Sequence, residues 1–164
     1  MVVIITHWNE HAIDKQAQRQ KGLSRFCCDN FVRLEETEMP HVVLNGRVDV
    51  EEIFDRLSPL FIRNGRTILK TSTVYVDRQK KSILIESLAI EEGKKIEFLA
   101  TISKREDGVV VRIYPGSEVE KTDGVKKILA EIAMQLLDTF AELEVGKTNI
   151  SDFLRQKREF EVKN

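Results

Sequence analysis

Cysteine is scarce in this sequence: there are two in 164 residues, Cys27 and Cys28, and they are adjacent. Neighbouring cysteines pair only with strained geometry, so no disulfide framework is implied. An excess of charge of one sign is also missing. The 26 basic and 27 acidic side chains leave a net charge of −1, which argues against a domain that grips nucleic acid by bulk positive charge. Long hydrophobic runs are absent. The opening run Met1 to Ile5 is far short of the roughly 20 apolar residues a spanning helix needs. It also lacks the basic start and apolar stretch of a signal peptide. The expectation is a soluble, cytoplasmic protein with no membrane contact. Neither Gly-x-Gly-x-x-Gly, a Walker-type string nor Gly-x-Ser-x-Gly occurs, so nucleotide chemistry of those kinds and nucleophile-elbow hydrolysis have no support.

What the chain does contain is a core. Hydrophobic residues make up 41% and charged residues 32%, enough apolar material for one domain of this length. The organisation splits at Met39. Residues 1–38 read as an N-terminal strand and helix segment, an arm; residues 39–164 read as a single α+β domain that Met39-Pro40-His41 would begin cleanly.

The regular part opens with the apolar run His41-Val42-Val43-Leu44, which stops at the turn signal Asn45-Gly46. Asp49 stands at an N-cap, with Glu52 in the capping-box position. Val50, Ile53, Phe54, Leu57 and Leu60 follow at helical spacing, and Pro59 limits the helix. Four strand-like runs come next, at about Thr67 to Val76, Ser82 to Ile90, Lys95 to Ser103 and Val109 to Ile113. The turns between them are short and polar, so the spacing predicts an antiparallel meander. Ser117 or Asp123 can open a long helix, whose stripe runs through Val125, Ile128, Leu129, Ile132, Ala133, Leu136, Leu137, Phe140 and Leu143. Gly146 then reads as its C′ stop, and a short helix from about Ser151 to Lys157 folds back.

The expected order is β-α-β-β-β-β-α: a four-stranded antiparallel meander plus one further strand, packed on a long C-terminal helix. That order resembles the TATA-binding-protein-like fold and a shortened helix-grip arrangement. The resemblance lies in the order of elements alone and implies no activity.

The second strand of the meander is apolar on both sides. Ile83, Ile85 and Ala89 share one face, and Leu84, Leu88 and Ile90 the other. A strand of that kind is usually covered on both faces. The two C-terminal helices cover one; the other needs the N-terminal segment, a ligand or a second subunit, and a homodimer or a swapped N-terminal arm is the expectation.

All three histidines (His7, His11, His41) and both cysteines fall in the first quarter of the chain. His7-Trp8-Asn9-Glu10-His11 matches the H-x-x-E-H string of inverted zinc peptidases. On a helix, two histidines at i, i+4 share a face and can ligate one metal, with the glutamate activating a bound water. The segment around them is polar, which departs from the large helical domains of those enzymes. A non-catalytic zinc site drawing on His7, His11, Cys27, Cys28 and His41 is the alternative this cluster offers.

Basic residues gather at one end of the meander. Arg78, Lys80 and Lys81 lie in its first turn, Lys104 and Arg105 in its third, and alternate turns share an end. They are the candidate ligand or anion contacts, with Asp77, Glu106 and Asp107 among them and Tyr75 and Tyr114 as the aromatics that could stack bases. The favoured reading is a non-enzymatic binding or structural domain that works through its sheet face and forms a homodimer. A zinc protein, including a metal-dependent hydrolase, and a nucleic-acid-binding module are the alternatives.

Overall fold

The computed structural model describes residues 39–154. His7, His11, Cys27 and Cys28 lie outside them. Residues 39–154 form an α+β domain in which a seven-stranded sheet, antiparallel at every pairing, carries a long helix on one face.

Strand β1 (His41–Asn45) leads into helix α1 (Val50–Arg56). Asp49 is its N-cap residue, yet its side chain makes no capping bond. Its carboxylate accepts instead from Lys104 Nζ at 3.0 Å, and Glu52 pairs with Arg56 at 2.8 Å. The helix ends at Arg56, before Pro59 can act, because Leu57 turns to an extended conformation. Val50 and Ile53 are buried, whereas Phe54 stays 37% exposed.

The meander has five strands: β2 (Phe61–Asn64), β3 (Thr67–Val76), β4 (Ser82–Glu91), β5 (Lys94–Lys104) and β6 (Gly108–Ile113). The two-residue turn Glu92-Gly93 between β4 and β5 has positive φ at both positions, the arrangement that matches strand twist. Gly108 opens β6 at φ +153°, and a Cβ there would lie 2.0 Å from the Leu44 carbonyl oxygen. No other residue fits that approach. Strand β6 then pairs with β1, so the meander closes onto the first strand of the domain.

Helix α2 (Asp123–Thr139) lies on the inner face. Its N-cap is Thr122, whose hydroxyl accepts from the Val125 amide at 3.4 Å, rather than Ser117 or Asp123. Glu91, the last residue of β4, accepts from the Gly124 amide at 2.8 Å, placing a carboxylate at the positive end of the helix. Val125, Ile128, Leu129, Ile132, Ala133 and Leu136 pack on Val42, Leu44, Ile83, Ile85, Ala100, Ile102, Val111 and Ile113 to form the core. Each fully buried aliphatic side chain there contributes roughly 1.5–3 kcal/mol.

Two strands were not among those the sequence predicts. Strand β2 pairs with β3 across the Asn64-Gly65 turn; at four residues, mostly exposed, it shows no alternation to read. Strand β7 (Glu144–Thr148) pairs with β1, and Gly146, expected as a helix stop, lies within it. The apolar spacing runs on past the true helix end, because Phe140 and Leu143 stay buried after the chain has left α2. The Thr139 hydroxyl donates to the Gln135 carbonyl at 2.7 Å and Phe140 adopts an extended backbone. A helical turn at 151–154 follows, with Ile150 and Leu154 buried. No helix among the described residues is long and apolar enough to cross a membrane.

Candidate functional site

The inner face of the sheet is used up by α2, so the side chains that can meet another molecule stand on the outer face. Register aligns them in rows. Tyr75 pairs with Leu84, Leu84 with Thr101, Thr101 with Arg112, and Arg112 with His41. One transverse line thus crosses from β3 to β1 on the outer side. Leu84, Leu88 and Ile90 of β4 and Leu99 of β5 are half-buried on this face, while Ile83, Ile85 and Ala89 lie against α2 at 0–1% exposure.

Two concavities mark the outer face. The first, of about 660 Å³, lies over β3, β4 and β5 beyond the point where β6 ends, and Val119 of the β6–α2 loop flanks it. Lys70, Ser72, Glu86, Leu88, Glu97 and Leu99 contribute to it. Hydrogen bonds from Thr73, then Tyr75 and Ser72, hold the Glu86 carboxyl below its ordinary range. The Tyr75 hydroxyl donates to Glu86 Oε1 at 3.0 Å and the Ser72 hydroxyl to Oε2 at 3.2 Å. Tyr75 is therefore occupied as well as 49% exposed.

The second concavity, of about 680 Å³, lies over β1, β6 and β7. Arg112 stands in it, half-buried, with its Nε buried and without a hydrogen-bond partner. His41, on the neighbouring strand, donates from Nδ1 to the Met39 carbonyl at 3.0 Å. Lys147 stands at its β7 side and Arg105 at the turn.

The five basic residues singled out from the sequence do share one end. The Lys104 amide donates to the Lys81 carbonyl at 2.8 Å, which brings the β3–β4 and β5–β6 turns together. Their charges are largely matched. Lys80 pairs with Glu51, Lys104 with Asp49 at 3.0 Å, and Arg105 with Asp107 at 2.9 Å. The Arg105 pair holds the Asp107 carboxyl below its usual range and the guanidinium above its own. Arg78 and Lys81 have no ion pair among the described residues. Asp77 organises their turn: the Lys81 amide and the Ser82 hydroxyl donate to its carboxylate at 2.8 and 3.1 Å. The Lys81 bond is the main cause of its lowered pKa.

Of the proposed metal ligands only His41 is described, and no group of three or more His, Cys, Asp or Glu residues among the described residues is placed to hold a metal. Arg112 and Lys147 were missed. Arg112 could have been found as the single charge in the alternating run Val109-Val110-Val111-Arg112-Ile113. Lys147 could not, because it depends on β7. No protein-family model matches this chain, and no match is found among curated proteins or solved structures.

Proposed function

We propose that this chain is a non-enzymatic binding domain that works through the outer face of its sheet and associates there with a second copy of itself. One observation carries the reading: β4 is apolar on both sides, and only its inner side is sealed by α2. Leu84, Leu88 and Ile90, with Leu99 beside them, remain half-covered at the centre of a seven-stranded sheet. Apolar groups that stand together on a surface favour association, since burying them removes apolar area from water. The charges around them are mixed, with Lys70 and Lys95 beside Glu86 and Glu97. A twofold arrangement can set opposite signs against each other there, because the same patch meets itself.

The resemblance of the expected order β-α-β-β-β-β-α to helix-grip and TATA-binding-protein-like arrangements belongs to this proposal, although the described domain adds β2 and β7 to that order. It speaks for a sheet backed by a helix on one side and working on the other. A cytoplasmic setting belongs to it too, supported by the lack of a disulfide framework. Sedimentation velocity on the full chain tests the association. The expected result is a dimer at micromolar concentration that Leu88→Glu converts to a monomer. A wild-type monomer across that range would count against the reading.

A further inference from the structure

The outer face has a second region, away from the apolar patch, whose chemistry is different. The Arg112 guanidinium presents its donors in a fixed plane. Its Nε is buried and bonded to nothing, although buried donors are nearly always satisfied. Directly across the β6–β1 ladder stands His41, with Nδ1 committed to the Met39 carbonyl. Arg105 and Lys147 stand at the rim. The one carboxylate of the concavity, Asp107, is already engaged at both oxygens by Arg105, at 2.9 and 3.4 Å. Arg105 and Lys104 are thus matched by Asp107 and Asp49, which leaves Arg112 and Lys147 as the cations of the concavity with no ion pair among the described residues. Val43 and Val110 supply an apolar wall. The space over it, about 680 Å³ and open to solvent, leaves room for an organic group beside an anion.

We infer that this concavity over β1, β6 and β7 binds the phosphoryl group of a small organic phosphate monoester. The phosphoryl oxygens accept from Arg112, and Lys147 adds charge from the rim. The organic part lies on Val43 and Val110. Arginine suits this role because its planar fork matches phosphate oxygens. A long nucleic-acid backbone fits less well: the basic groups form one compact spot, and the neighbouring concavity carries Glu86 and Glu97. The inference rests on the reading of the outer face as the working surface, but it concerns a different part of that face from the association patch.

Phenyl phosphate, phenol, inorganic phosphate and a short oligouridylate, titrated into the isotopically labelled full chain and followed by backbone amide shifts, test it. Phenyl phosphate is expected to bind with a Kd of about 1 mM or tighter, shifting the amides of His41, Val43, Val110 and Arg112. Phenol is expected to leave them unmoved. Arg112→Gln should weaken binding by about tenfold or more, as loss of a charge-assisted pair does, and Lys147→Gln by a smaller factor. Failure of phenyl phosphate and inorganic phosphate to bind would overturn the inference, as would undiminished binding in Arg112→Gln. If that variant does not fold, undiminished binding in Lys147→Gln overturns it. Tighter binding of oligouridylate, falling steeply with salt, would reassign the site to a nucleic-acid backbone. The association result is read separately by sedimentation, so either reading can fail alone.

Discussion

At the scale of single residues, Arg112 is placed for contact rather than for stability. An unpaired buried donor costs the fold about 1–3 kcal/mol. Arg112→Leu, which removes the donor and keeps an apolar stem, is therefore expected to leave stability unchanged or to raise it by about 1 kcal/mol in urea unfolding. A clear loss of stability would mean that the guanidinium holds the sheet together. Gly108 is the opposite case. Its φ of +153° and the 2.0 Å approach of the Leu44 carbonyl to an added Cβ leave no room for a side chain. Gly108→Ala should cost about 2–4 kcal/mol, in the range of strained backbone substitutions, and equilibrium unfolding reads it directly.

Asp77 gives a pH signature at the same scale. Bonds from Lys81 and Ser82 lower its folded pKa below the ordinary 3.8. A depressed carboxyl pKa contributes stability that is present above the unfolded value and is lost as pH falls through the folded value. Asp77→Asn is thus expected to destabilise the protein at neutral pH, with the difference from wild type shrinking below pH 3.8. Thermal unfolding of both proteins across pH 2–7 checks this; a constant difference across that range would contradict it.

At the scale of elements, α2 is held by both of its ends. Glu91 joins β4 to the helix N-terminus through the Gly124 amide at 2.8 Å, and Phe140 and Leu143 anchor the exit by burial. Glu91→Ala should destabilise by about 1–2 kcal/mol, combining the lost cap bond with the lost charge at the dipole. Gln at this position can still accept the bond and should recover part of the loss. The elements that the sequence made legible are those with a strong period. Ile96, Phe98, Ala100 and Ile102 of β5 alternate and are buried as that alternation requires. The stripe from Val125 to Leu136 marks α2. Both edge strands escaped for a physical reason. An edge strand meets a neighbour on one side only and needs little apolar patterning, so Phe61–Asn64 and Glu144–Thr148 look like loop in sequence. The candidate site suffered accordingly. The shared end of Arg78, Lys80, Lys81, Lys104 and Arg105 follows from turn parity alone. Their partners Glu51 and Asp49 are set by tertiary placement of α1 and could not be read locally. Arg112 needed the outer face to be defined first, and Lys147 needed β7.

At the scale of the whole molecule, the sheet divides its work between its faces. The inner face spends its apolar side chains on α2. The outer face carries an apolar strip over β4 and β5 and a cationic concavity over β1, β6 and β7. Net charge near zero does little to keep copies apart, in line with the association proposed for the outer face.

The most direct test of that claim is a dilution series of the isotopically labelled full chain, followed by backbone amide shifts. Concentration-dependent shifts clustered at Leu84, Leu88, Ile90 and Leu99, with Ile128, Leu129 and Ile132 of α2 unmoved, are the expected result. Spectra that do not change with concentration, or shifts that fall elsewhere on the domain, would contradict the assignment of the outer sheet face as the surface through which this protein acts.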